Sequence, residues 1–294
     1  IVSDKPLAMN GDEAQQLLDA ATKAGVVHAV TFNYRGNPLV QQARAMIANG
    51  EIGRVHFIHG HYLQDWLIKE TDFSWRIEPE KSGPTSAMGD IGSHWCDLVQ
   101  HVSGLRIESV LADLTTVIPT RKKPTVARET FSEATDDEGE DFTVTVEDLG
   151  SVLVRFGNGC KGLFTAGQVC AGHKNDLVFE INGLGGSLRW LQERQNELWV
   201  GRRDGGNVEL AKDPGAMDPS VAGYAHLPGG HQEGWATAFH NIMRDIYTHI
   251  AGGKGPDDPQ PPAFATFEDG YRADRVVDAI LASSTAGGVW TDVR

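Results

Sequence analysis

The 294 residues, 40% of them apolar with a mean hydropathy of −0.30, can build a sizeable core and are long enough for two domains of ordinary size. Forty acids against 26 lysines and arginines give a net charge of −14, which opposes attraction to nucleic acid or an anionic membrane surface, and no apolar run nears the roughly 18 residues of a membrane helix. Three widely spaced cysteines, Cys96, Cys160 and Cys170, with no C-x-x-C pair, argue against a zinc knuckle or a disulfide framework, so reduced thiols and a cytoplasmic location are expected, with no metal.

Ile1-Val2-Ser3 is a short apolar segment stopped by Asp4-Lys5-Pro6, which places Lys5 at a strand end, where open α/β sheets bind ligands. Asn10 and Glu13 resemble a capping box, Leu17, Leu18 and Ala21 form a stripe, and Gly25 suits a helix stop. Val26 to Phe32, rich in β-branched residues, predicts a buried parallel strand that delivers Asn33-Tyr34-Arg35. A second helix is predicted from Pro38 to Asn49, and Val55 to Tyr62 alternates as the start of a different sheet. Gln64-Asp65-Trp66 and Phe73-Ser74-Trp75-Arg76 mix aromatic and charged residues too densely for a plain loop; core packing and ligand contact both remain open for Trp75, and Arg76 beside it favours contact.

Gly89-Asp90-Ile91-Gly92-Ser93-His94 precedes apolar residues at helical spacing through Val102, so Asp90 and His94, four apart, share one helix face. An acid beside an imidazole can fix its tautomer and stabilise its charged form, the minimum equipment for proton transfer near neutral pH; a plain helix N-cap by Asp90 is the alternative. On this reading Asp90 raises the pKa of His94. Ser109 to Ile118 is strand-like, Arg121, Lys122 and Lys123 suggest a solvated turn, and residues 133–141 an acidic loop without calcium-site spacing. Short alternating segments from Val144 to Val200, with Asn158-Gly159 and Gly183 to Gly186 as turns, predict an antiparallel sheet. Gly172-His173-Lys174-Asn175 falls in one of its loops, as a surface turn or a place to hold a hydroxylated ligand. Residues 201–228 look irregular, a helix follows with Trp235, Phe239, Ile242 and Ile246 on one face, and Thr266 with Asp269 caps a last helix that ends before Val289-Trp290.

In order and spacing, Asp4-Lys5-Pro6, Phe32-Asn33-Tyr34-Arg35, Gly50-Glu51-Ile52-Gly53, Trp75-Arg76 and Asp90-Ile91-Gly92-Ser93-His94 together resemble the Gfo/Idh/MocA oxidoreductase family. The resemblance covers nearly the whole chain. It implies a Rossmann-type parallel sheet followed by a domain with a large, mostly antiparallel open sheet flanked by helices, divided here at about residues 1–35 and 36–294, with helix 266–284 packing back on the first part. It implies NAD or NADP, NAD favoured, as cofactor, and oxidation of a secondary hydroxyl of a sugar or cyclitol. Lys5, Asp90 and His94 would be catalytic, and Lys5, Trp75 and Arg76 would approach the dinucleotide. Tyr34, Arg35, Asp65 and His173 would line the sugar pocket, and the protein would be a homo-oligomer through the open sheet face, without nucleic-acid or membrane partners. Asp4 stands where the family usually has Glu. The family's G-x-G-x-x-G turn lies upstream of its E-K-P motif; no such pattern is expected anywhere in these residues, Gly183-Leu184-Gly185-Gly186 not meeting it, and the expectation is a chain lacking the first βα units. Two other readings stay open: an NAD-dependent glycosidase on the same scaffold, and a noncatalytic sugar-binding or assembly protein.

Overall fold

The computed structural model describes residues 1–125, 139–256, 258–259 and 261–294. Strand β1 (Val2–Ser3) pairs in parallel with β2 (Ala29–Val30), and between them runs helix α1 (Gly11–Ala24). The Asn10 side chain accepts from the Glu13 amide at 2.9 Å while the Glu13 carboxylate reaches back to the Met9 amide, and Gly25 at φ +61° ends the helix. The strand expected from Val26 to Phe32 is only Ala29–Val30 long. The Ala29 and Thr31 amides donate to the Ile1 and Ser3 carbonyls, whereas those of Val26, Val30 and Phe32 turn to Ala21, Ala265 and Val30, outside any ladder with β1.

Helix α2 (Pro38–Ala48) leads to β3 (Val55–Leu63), then the short α3 (Pro79–Ser82), α4 (Ser93–Ser103) and β4 (Ile107–Thr115). Strands β5 (Thr120–Pro124) and β6 (Gly139–Thr143) form a separate hairpin. Strands β7 (Leu149–Phe156), β8 (Lys161–Gly167), β9 (Asp176–Gly183), β10 (Ser187–Leu191), β11 (Glu197–Gly201) and β12 (Val208–Ala211) follow, then α5 (Trp235–Ala251), α6 (Phe267–Thr285) and β13 (Thr291–Asp292). The large sheet has the order β12-β11-β10-β9-β3-β8-β7-β4-β13, with only the β3–β8 pair parallel. Strand β12 was not expected in the irregular stretch; it is four residues long and exposes alternate side chains. The bases at 121–123 are no solvated turn: they lie in β5, and Arg121 is wholly buried. Of the acidic stretch, 133–138 fall outside the described residues and Gly139 to Asp141 belong to β6.

One face of the sheet carries the core. Trp95 of α4 stacks on Phe164 with ring centroids 4.4 Å apart and donates to the Val178 carbonyl, so α4 is fixed across the sheet's centre. The other face is open, and the register sets Leu111, Leu153 and Leu163 side by side across β4, β7 and β8, with Leu153 and Leu163 exposed. Helix α6 spans both halves. It buries Phe267 and Ala273 against Leu7 and Ala14, and its Ser283 hydroxyl donates to the Val289 carbonyl and accepts from the Ala112 amide of β4. The letters G-x-G-x-x-G do occur, at Gly157-Asn158-Gly159-Cys160-Lys161-Gly162, which the expectation of no such pattern overlooked. They form the β7–β8 hairpin, with Asn158 and Gly159 at φ +60° and +82°, and no helix follows to face a pyrophosphate.

Asp274 of α6 is buried and accepts from the Ala8 amide at 3.0 Å; burial, with Asp278 and Glu13 nearby, pushes its carboxyl up to about 8. The folded protein therefore keeps a proton there that the unfolded chain has lost, and stability drains as pH rises from about 4 to about 8. Asp274→Asn keeps the acceptor and removes this drain. Thermal melts should show it stabilised relative to wild type at pH 8 and nearly unchanged at pH 4; equal shifts at both would disprove the assignment.

Candidate active site

The strands β1 and β2 end side by side, and their carboxyl ends deliver Asp4-Lys5 and Thr31-Asn33-Tyr34 to one cavity of about 740 Å³. Asp4 fastens this edge: its carboxylate accepts from the Lys5 amide at 2.9 Å and the Thr31 hydroxyl at 2.7 Å. Asp90 and His94 enter from the far side. Asp90 is not a helix N-cap. The helix begins earlier, with a π-helical turn over Met88–Gly92, and its free amides at Ser86 and Met88 are taken by the Glu147 carboxylate at 3.0 and 2.8 Å. Capped from the β6–β7 connection, the helix keeps the Asp90 side chain for the cavity.

There Asp90 gathers three donors. Lys5 Nζ sits 2.7 Å from Asp90 Oδ1 and 2.7 Å from its carbonyl oxygen, Arg76 Nε lies 3.1 Å from Oδ1, and Gln168 Nε2 donates to Oδ2 at 2.9 Å. Burial works against the Asp90 charge, but Lys5 and Arg76 outweigh it and hold the carboxyl below its ordinary value. His94 is caged by Phe32, Tyr34 and Tyr62, with centroids 5.8, 5.0 and 6.1 Å away. No hydrogen bond joins it to Asp90 among the described residues. Burial first, then the Lys5 charge, push its pKa well below 6.5, overriding the opposite pull of Asp90. The expected rise is thus reversed, because removal from water costs the imidazolium more than one shared carboxylate returns. The ring stays neutral at pH 7 and can accept a proton.

Below the histidine, Tyr34 and Tyr62 hydroxyls lie 2.8 Å apart, and Asn175 bonds both, at 3.1 and 2.6 Å. Burial raises both phenols, so they act as hydrogen-bonding groups and not as bases. Asp65 does not line the cavity but pairs with Lys174, which does, at 2.6 Å. His173 points elsewhere, held 2.7 Å from Asp176, which also takes His61 at 3.0 Å. Arg35 is also elsewhere: the turn Asn33–Gly36 rotates it away from Tyr34 into a buried pair with Asp97, with Asp269 beside it. Sequence reasoning missed Asn33, Gln64, Gln168, Asn175 and the cavity-facing side of Trp235 and Phe239. Asn175 lay in a loop marked as a ligand holder; nothing in the sequence points to Gln168 or to Glu147.

A second cavity, about 640 Å³, adjoins the first through Asp4, Lys5, Arg76 and Asp90, and is walled by Leu7, Met9, Leu17 and Trp75. Trp75 is half exposed, with the Arg76 guanidinium 4.7 Å from its ring centre. Among the described residues Arg76 Nη1 is buried without a hydrogen-bond partner, a donor left for a ligand's oxygen. The cationic edge, the flat indole and the spare donor fit one side of a dinucleotide.

Lys5, Asp90 and His94 meet on one cavity, beside the carboxyl ends of two parallel strands and against a large open sheet, in a chain built of α/β and α+β parts. Residues 40–189 match the GFO/IDH/MocA C-terminal domain, and the chain belongs to that family. It is 33% identical to levoglucosan dehydrogenase of Pseudarthrobacter phenanthrenivorans, over all of this chain and 73% of that protein. An oxidoreductase domain protein from Kribbella flavida superposes with a TM-score of 0.86 at 34% identity, over 100% of this chain and 74% of its own. Levoglucosan dehydrogenase in complex with NADH and levoglucosan gives 0.85 at 31% identity, over 100% and 73%.

Proposed function

We propose that this chain belongs to an NAD(P)-dependent dehydrogenase that oxidises a secondary hydroxyl of an uncharged sugar or cyclitol to a ketone. One observation carries the reading: a neutral, buried imidazole and a lysine ammonium anchored on Asp90 face the same cavity. The naming of related chains as levoglucosan and myo-inositol dehydrogenases supports the substrate class, and their NADH complexes the cofactor.

Lys5 has three N–H donors; two are spent on the carboxylate and the carbonyl oxygen of Asp90, and the third is left for the substrate oxygen. His94 takes the hydroxyl proton while Lys5 stabilises the oxygen that loses it. The imidazolium so formed is favoured by Asp90 and opposed by Lys5, which speeds its return to the neutral base. Lys5, Trp75 and Arg76 would hold the cofactor. Bound NAD(P) supplies the acceptor for the hydride that leaves the carbinol carbon. Three free cysteines, two of them buried, suit a reducing, cytoplasmic setting, and the exposed leucines of the open sheet face suit contact with a second copy.

Polyol-dependent reduction of NAD⁺ or NADP⁺ tests the reading; release of aglycone from glycosides without net reduction would replace it by the glycosidase. The acid limb of kcat/KM is expected well below pH 6.5, with a flat neutral region, because His94 charges only there. A limb centred at or above 6.5, or one unchanged in His94→Asn, would assign the base elsewhere.

A further inference from the structure

Helix α5 brings two aromatic rings to the cavity that holds Lys5 and His94. Trp235 and Phe239 stack on each other, centroids 5.3 Å apart and planes within 12°, and Trp235 remains 52% exposed. Their place is fixed. A Cβ on Gly36 would lie 2.0 Å from the Ala238 carbonyl oxygen, so α5 sits directly on the turn that carries Asn33 and Tyr34, and Asn241 Nδ2 donates to the Gly36 carbonyl at 2.9 Å. The segment leading into α5 is pinned by a buried pair, Lys212 and Glu233, 2.8 Å apart; Lys212 also donates to the Leu227 carbonyl and Glu233 accepts from the His226 amide. An exposed indole on such a stiff mount has one cavity-side face ready for an apolar surface.

The cavity's cations point the same way. Lys5 and Arg76 are committed to Asp90, and Lys174 to Asp65 at 2.6 Å. A phosphate entering here would find the third N–H of Lys5 and Arg76 Nη1 spare, on cations whose charge Asp90 already balances, and would lie among the Asp4 and Asp90 carboxylates. Hydroxyl groups are neutral and need no counter-ion: the Tyr34 and Tyr62 oxygens each keep a lone pair to accept from them, and Asn175 Nδ2 keeps a second N–H to give.

Building on the substrate cavity assigned above, we propose that Trp235, backed by Phe239, is a stacking platform for the C–H face of an uncharged sugar, and that it sets the substrate class in place of any cation. The platform makes flat or bicyclic sugars with one continuous C–H face the preferred ligands and excludes sugar phosphates.

The test titrates wild type, Trp235→Ala and Trp235→Phe with levoglucosan, myo-inositol, glucose and glucose 6-phosphate, following the heat of binding in all three and tryptophan emission in wild type, as well as kcat and KM. Expected are quenching by an uncharged sugar in wild type and a rise of about 10-fold in its Kd and KM in Trp235→Ala, with kcat nearly unchanged. Trp235→Phe should recover most of the affinity, and glucose 6-phosphate should bind at least about 10-fold more weakly than glucose. Unaltered Kd and KM in Trp235→Ala, while wild type still binds and oxidises the sugar, would overturn the platform and leave the dehydrogenase reading intact. A preference for the phosphate would overturn the exclusion. Wild type that neither binds nor oxidises any of the four overturns both readings together.

Discussion

Lys5→Met and His94→Asn are each expected to lower turnover by about 100 to 10,000-fold while changing KM far less. The asymmetry follows from what each group does. Among the described residues His94 makes no ion pair, and its ring is packed among aromatic side chains, so an asparagine of similar reach leaves the fold in place and removes only the proton acceptor. Lys5→Met takes one of the two cations that face Asp90; Arg76 and Gln168 remain, so the carboxylate stays bonded. What disappears is the donor for the oxygen losing its proton, an interaction that strengthens only as charge develops there. Steady-state rates with the best polyol measure both effects, and circular dichroism melts check that folding survives. Wild-type turnover in either variant removes that residue from the mechanism.

The outline of this site was legible because its parts are local in sequence. Asp4-Lys5 follows a strand, Asn33-Tyr34 follows its parallel neighbour, and two parallel strands with a crossover must end on the same side. Asp90 and His94 share a helix face by spacing alone. The sequence could not say what faces them. Gln168 reaches Asp90 from the end of β8, and Glu147 caps the helix from a connection 59 residues away in the chain, and both contacts exist only after the large sheet has closed. Arg35 looked like a pocket residue because it adjoins Tyr34; one step along the tight turn Asn33–Gly36 carries it to Asp97 instead. The pKa of His94 was misjudged for a related reason. A neighbouring acid can be read from spacing, whereas loss of water cannot, and here desolvation is the larger effect. Trp235 looked like one more member of an apolar helix face, until packing placed it over the cavity instead of under the sheet.

Arg121→Met should cost the fold about 3–5 kcal/mol, which for a chain of this size lowers Tm by on the order of 10 °C. Arg121 is fully buried, and its Nη1 donates to the Lys69 and Asp72 carbonyls at 2.9 and 3.1 Å while Nη2 faces Asp148 at 3.4 Å. Asp148 is buried as well, its carboxylate accepting from the Val117 and Ile118 amides. Without the guanidinium its charge stays buried with backbone donors alone, and the carbonyls of Lys69 and Asp72 lose their donor. Those two residues belong to the segment that leads to Trp75-Arg76, and the Asp148 carbonyl accepts from the Gln168 amide, so both routes reach Asp90. The variant is therefore expected to weaken NAD(P)H binding as well as stability, as measured by calorimetric titration beside thermal melts. Adding Asp148→Asn removes the stranded charge and should return a good part of the lost Tm without restoring the tie to Lys69 and Asp72. A melt of Arg121→Met that matches wild type, or an Asp148→Asn partner that makes it worse, would show that this pair does not hold the wall of the site.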